Sequence, residues 1–72
     1  MTTIEKTIIE VAAYDFQPVS DITKKVAEKL GYSVSDVADI VHYYCGLLVG
    51  RAELECIRRY KEGGYYYKVR KP

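Results

Sequence analysis

Two apolar stripes at helical spacing, separated by one glycine, constrain this chain more than any other feature. Ile22, Val26 and Leu30 recur four apart and make one face of a helix that Ser20 or Asp21 is placed to cap. Gly31 supplies the stop, because glycine accepts the left-handed conformation in which helices commonly end. Ser33 and Asp36 repeat the capping pattern. Val37, Ile40, Val41, Tyr44 and Leu48 then follow three and four apart as the core stripe of a third helix. An interior glycine costs about 1 kcal/mol against alanine, so Gly46 fits awkwardly. The helix ends there or runs on to Gly50, and Gly50 is the preferred end.

The flanking segments are different in kind. Thr2 and Glu5 have capping-box spacing, which predicts a first helix from about Thr3 with Ile4, Ile8, Val11 and Ala12 on its apolar face. Pro18 lacks an N–H and disfavours helix in Gln17, so Phe16 to Val19 is expected to be extended and to pair as a short edge strand. From Glu53 the period changes to two. Leu54, Cys56 and Tyr60 alternate with Glu55, Ile57 and Arg59, and Tyr65 to Arg70 are rich in aromatic and β-branched types. The Lys61-Glu62-Gly63-Gly64 stretch between them completes a β-hairpin signature. A two-residue loop at Glu62-Gly63 would set Tyr60 opposite Tyr65, Cys56 opposite Val69 and Glu55 opposite Arg70, a register that pairs aromatic with aromatic and opposite charges.

At 72 residues the chain is expected to be one domain, residues 1–72. Such a domain buries only about 60% of its unfolded surface, which leaves little room for a catalytic cleft; an enzyme is not expected. The opening ten residues have no apolar h-region, and Tyr43 to Val49 falls far short of the roughly 20 residues of a membrane span. A soluble, intracellular (cytoplasmic) protein without membrane contact is the expectation. Cys45 and Cys56 make no C-x-x-C and read as buried thiols, a disulfide between them staying open for a hyperthermophilic source. The net charge of +1 hides an asymmetry: residues 1–50 carry −3 and residues 51–72 carry +4. Attraction to a polyanion must come mainly from the C-terminal third.

The order helix, short strand, helix, helix, hairpin resembles the winged helix-turn-helix DNA-binding family over nearly the whole chain. Ala27, Gly31 and Val37 stand where that family places a small residue, the turn glycine and an aliphatic anchor, and Val26, Leu30, Ser33 and Ile40 match as well. The resemblance implies an α+β fold of three helices followed by a C-terminal β-hairpin wing. It implies a third helix in the major groove and a hairpin on the backbone of double-stranded DNA. The stretch ITKKVAEKLGYSVSDVADIV is also similar to the helical hairpin of histone-like bending proteins, but the glycine-phenylalanine-glycine turn and long β-arms of that family are missing.

On this reading the solvent face of the third helix holds Ser33, Val34, Ser35, Asp36, Ala38, Asp39, His42 and Tyr43. Ser35 suits a phosphate or base edge, Asp39 the N4 of cytosine, Tyr43 a phosphate, and His42 either. Arg58, Arg59, Lys61, Lys68, Arg70 and Lys71 cluster on and after the wing. Arg59, Tyr66, Lys68 and Arg70 are expected on its outer face, with Tyr66 the exposed member of the tyrosine run. The two aspartates sit oddly against phosphates. Asp36 has a role at the helix N-terminus, but Asp39 has none. The rival expectation is a protein–protein interaction module that uses the acidic third helix. No cofactor is expected. A zinc site from His42, Cys45 and Cys56 lacks a fourth ligand and is not expected either. The combined reading is a small transcriptional regulator of viral, plasmid or archaeal type, expected to act as a homodimer or on a partner protein.

Overall fold

The computed structural model describes residues 1–59 and 64–70. Helix α1 spans Thr3–Ala12, strand β1 Gln17–Pro18, helix α2 Val19–Leu30, helix α3 Val34–Gly50, and strands β2 Leu54–Arg59 and β3 Gly64–Val69 form the hairpin. Three helices followed by a C-terminal antiparallel hairpin is the α+β layout expected. The sheet order is β1-β3-β2, with β3 antiparallel to both neighbours. The helices cover one face of the sheet. The core is built from Ile8 and Ala12 of α1, Ile22, Val26 and Ala27 of α2, Val37, Val41, Cys45 and Leu48 of α3, and Leu54 and Tyr67 of the hairpin.

Each helix start tests a cap. α1 begins as expected: Thr2 N–H donates to Glu5 Oε1 at 3.1 Å and Glu5 N–H to Thr2 Oγ1 at 3.2 Å, a reciprocal capping box. α2 starts at Val19, before Ser20 and Asp21, with Pro18 at the N-cap and no side-chain cap. The strand runs straight into the helix, so the helix begins where β pairing stops, and Asp21 serves only as first-turn charge. α3 starts after Ser33, whose hydroxyl lies 3.3 Å from the Ser35 hydroxyl and caps no amide.

The two helix ends preceding α3 and the hairpin use the same device on different residues. Gly31 has φ 76°, and Tyr32 N–H reaches back to the Ala27 carbonyl at 2.9 Å. At the end of α3, Glu53 N–H bonds the Leu48 carbonyl at 2.9 Å and Ala52 N–H the Val49 carbonyl at 3.0 Å, which is a Schellman pattern. Its left-handed position is Ala52, at φ 61°. Alanine there carries a clash that glycine avoids, of about 1–2 kcal/mol. α3 runs through Gly46 to Gly50, as preferred. Gly46 is exposed, and a β-carbon added there would meet nothing within 4 Å.

The core stripe of α3 differs from expectation at two positions: Ile40 is 41% exposed and Tyr44 only half-buried, whereas Cys45 is buried as expected. At about 100° per residue Val37, Val41, Cys45 and Leu48 centre the face that meets α1, α2 and β2, and Ile40 falls on its flank. The hairpin register is also corrected. Leu54 faces Val69, Glu55 faces Lys68, Cys56 faces Tyr67 and Arg58 faces Tyr65. The expected turn at Glu62-Gly63 and the residue Tyr60 lie outside the described residues. Both registers answer Glu55 with a cation, so charge does not choose between them. What chooses is the core: Tyr67 is buried and pairs on its other side with Gln17, and Val69 N–H bonds the Ala13 carbonyl at 2.6 Å. The shift is by two residues, so every side chain keeps its expected face.

Glu5 is a buried carboxylate with a distant partner, Arg51, whose Nη1 lies 2.6 Å from Oε2. The Thr2 N–H, above all, holds the Glu5 carboxyl below its ordinary 4.5, with help from the Thr2 side chain and the Arg51 charge and against the opposing effect of burial. A depressed folded pKa gives stability that is present above the unfolded pKa and lost as pH falls through the folded one. Acid unfolding monitored by circular dichroism should therefore show a loss below about pH 4.5 that Glu5→Gln flattens. In thermal melts, Ala52→Gly and Gly46→Ala should each raise Tm by several degrees, and Gly31→Ala should lower it, each reflecting about 1 kcal/mol.

Candidate nucleic-acid interface

The outer face of the sheet, turned from the helices, is built in rows. Phe16, Lys68 and Glu55 stand side by side, then Pro18, Tyr66 and Ile57, then Arg59 beside Gly64. The row pattern follows from strand alternation, which sends Leu54, Cys56, Tyr67 and Val69 to the other face. Arg59 lies over the Tyr66 ring at 4.8 Å, and the Lys68 ammonium over Phe16 at 5.0 Å. These cation–π contacts hold the cationic heads on the sheet, where an anion can approach them from the solvent side. Lys68 is also 3.5 Å from Glu55, so part of its charge is already answered.

The expected site residues therefore separate into groups. Arg59, Tyr66 and Lys68 are together on the outer face. Arg58 is on the opposite face, over Tyr65 at 5.4 Å. Arg70 is exposed just beyond β3. Lys61 and Lys71 lie outside the described residues. Tyr66 is half-buried; the exposed member of the run is Tyr65, at 44%. The helical core ends before the far end of the hairpin, so Tyr65 shares the core-side face without sharing the core, whereas Arg59, Ile57 and Pro18 hem in Tyr66. Phe16, Pro18 and Ile57 also belong to this face, although the sequence does not mark them as site residues. The alternation from Glu53 assigns Ile57 to it, but the β1 contribution depends on long-range pairing.

At the N-cap of α3 and along it, Ser33, Ser35, Asp39, His42 and Tyr43 are all exposed, as are Val34 and Asp36; Ala38 is half-buried. Tyr43 packs edge-on against Tyr44, with ring centroids 5.4 Å apart. The flank of α3 that Ile40 occupies borders a shallow apolar groove of about 370 Å³ lined by Ile4, Tyr32, Asp36, Val37 and Ile40. Sequence periodicity puts Ile40 in the core and so hides this groove.

The two thiols stand on neighbouring elements, Cys45 on α3 and Cys56 on β2. Cys45 is fully buried and Cys56 half-buried, and both are unpaired. Burial pushes the Cys45 thiol up to about 12, with Cys56 close by adding to the effect, and burial raises the Tyr67 phenol as well. Such a thiol is a packing group with no thiolate to offer. Among the described residues no three histidine, cysteine or acidic side chains gather as metal ligands, and no helix is long and apolar enough to cross a membrane. No family model, no curated protein and no solved structure matches the chain. In the folded protein one thiol per chain, Cys56, should react with a bulky disulfide reagent at mildly alkaline pH, and Cys45 should react only after urea unfolding. Equal rates for both would contradict the packing described.

Proposed function

We propose that this protein is a small winged helix-turn-helix regulator that binds double-stranded DNA. The N-terminal half of α3 enters the major groove, and the outer face of the hairpin lies along the phosphate backbone. The observation that carries this reading is the pairing of cations with aromatic rings on one open sheet face, Arg59 on Tyr66 and Lys68 on Phe16. Guanidinium and ammonium groups supply the sequence-independent part of DNA affinity, and held in place they lose less freedom on binding. The exposed Ser33, Ser35, Asp39, His42 and Tyr43 on α3 supply groups for base edges and phosphates.

A second reading has its own support. Asp36 and Asp39 are exposed on α3, and the groove between Ile4, Tyr32 and Ile40 offers apolar surface beside Asp36. A protein partner with basic and aliphatic groups would suit that flank better than a phosphate backbone would.

Salt titration of binding to random-sequence duplex DNA, followed by fluorescence anisotropy, separates the two. On the DNA reading log K falls steeply with log salt. Arg59→Ala and Lys68→Ala each lower the slope, by up to about one unit per lost contact, and Asp39→Lys raises non-specific affinity. Absence of binding at low salt would remove the DNA reading. Loss of partner capture on Asp39→Lys would then be expected from the protein-interaction reading.

A further inference from the structure

Among the described residues β2 is the outermost strand on its side of the sheet, next to β3 alone. The direction of its backbone groups follows from one bond. Arg70 N–H donates to the Glu53 carbonyl at 3.0 Å, and these two residues stand directly opposite when the hairpin register is extended by one pair. In an antiparallel ladder hydrogen-bonded pairs alternate with non-bonded ones. Glu53, Glu55, Ile57 and Arg59 therefore address β3, whereas Leu54, Cys56 and Arg58 direct N–H and C=O away from it. The bonds on the far edge of β3 agree: Val69, opposite Leu54, sends its N–H to Ala13 rather than to β2. Outward-directed backbone on an edge strand is a template for another strand.

We propose that this edge pairs with itself: two copies of the chain join antiparallel through β2, about a two-fold axis passing through Ile57. A two-fold axis normal to the sheet keeps the helix-covered faces together, so only residues of the same face stand opposite one another. Pairing along the length of β2 then centres on Cys56, Ile57 or Arg58. A centre at Cys56 needs the outward groups of Leu54, which is 2% exposed and out of reach. A centre at Arg58 sets two guanidinium groups against each other. The Ile57 centre avoids both difficulties. It joins the backbone of Cys56 to that of Arg58 in the second copy, places Ile57 against Ile57, and sets Glu55 of each copy opposite Arg59 of the other.

The charge pattern of the strand becomes self-complementary only in this arrangement. Glu55, Ile57 and Arg59 lie on the outer face at successive alternate positions, acid and base equidistant from the isoleucine. They also fall at the non-hydrogen-bonded pairs, where facing side chains come closest, with Cα atoms about 4.5 Å apart. Glu55 keeps Lys68 on its other side, and Arg59 has five N–H donors with which to serve a new acceptor while lying over Tyr66. The result is a six-stranded sheet in which the outer faces of both copies run together.

The test needs no nucleic acid, so its outcome is separate from that of the DNA reading. Sedimentation velocity of the purified protein from micromolar to millimolar concentration should give a reversible dimer. Ile57→Lys should weaken it on the order of a hundredfold by placing like charges on the axis. Glu55→Arg and Arg59→Glu should each weaken it, and the double exchange should restore it. Should a charge variant lose its circular dichroism spectrum, Ile57→Cys gives an independent reading. With oxidised glutathione it should form a covalent dimer, because Cα atoms about 4.5 Å apart lie within disulfide range, while the wild-type chain, with Cys56 opposite Arg58, should not. A monomer throughout the range, a dimer indifferent to Ile57→Lys, or a wild-type chain linked through Cys56 would each overturn the proposal.

Discussion

The bond from Val69 N–H to the Ala13 carbonyl, with the Gln17–Tyr67 pairing beside it, ties the last strand of the chain to the end of its first helix. Much of the structure depends on that closure. It makes β3 the central strand and sets the hairpin register through Tyr67. It also turns Lys68 and Tyr66 outward beside Phe16 and Pro18. Without it the hairpin would be a two-stranded ribbon, which is marginal alone in water. With it, β1 needs only two residues, because its work is to hold β3 against the helices.

The helices illustrate how a small domain uses imperfect local solutions. Ala12, Ala27 and Cys45 are small buried residues where the elements crowd together. Thr7 and Thr23 are buried hydroxyls that turn back to the carbonyls of Thr3 and Val19, each at 2.8 Å, and so leave neither hydroxyl as an unpaired donor in the core. Gln17 does similar service at the other end of α1, its amide nitrogen donating to the Val11 and Ala12 carbonyls at 2.9 and 2.7 Å. Ala13 and Ala52 are less comfortable, two alanines at positive φ, 52° and 61°, where the chain must leave α1 and turn from α3 into the hairpin.

Charge is distributed to match this architecture. Lys29 pairs with Glu10 and Arg51 with Glu5, so several charges of the helical layer are answered within it. On the outer sheet face, Arg59 and Lys68 lie over aromatic rings. Asp36 and Asp39 remain exposed on α3. The molecule therefore presents two chemically different surfaces, a basic aromatic sheet and an acidic helix edged with apolar groups, and the two functional readings differ in what they ask of the helix.

By itself the sequence determined the elements. Thr2 and Glu5 announced α1, Gly31 the end of α2, Pro18 the short strand and the change of period at Glu53 the hairpin, because each signal acts through its own backbone within a few residues. Side-chain faces in the hairpin were legible for the same reason, since alternation is local. Tertiary structure decided what depends on distant partners. It chose a register two residues from the expected one because Tyr67 had to enter the core. It left Ile40 on the flank of the α3 stripe because α1, α2 and β2 define where the buried face lies. It brought Phe16 and Pro18 beneath and beside the hairpin cations, which no local pattern encodes, because residues some fifty positions apart become neighbours only when β1 and β3 pair.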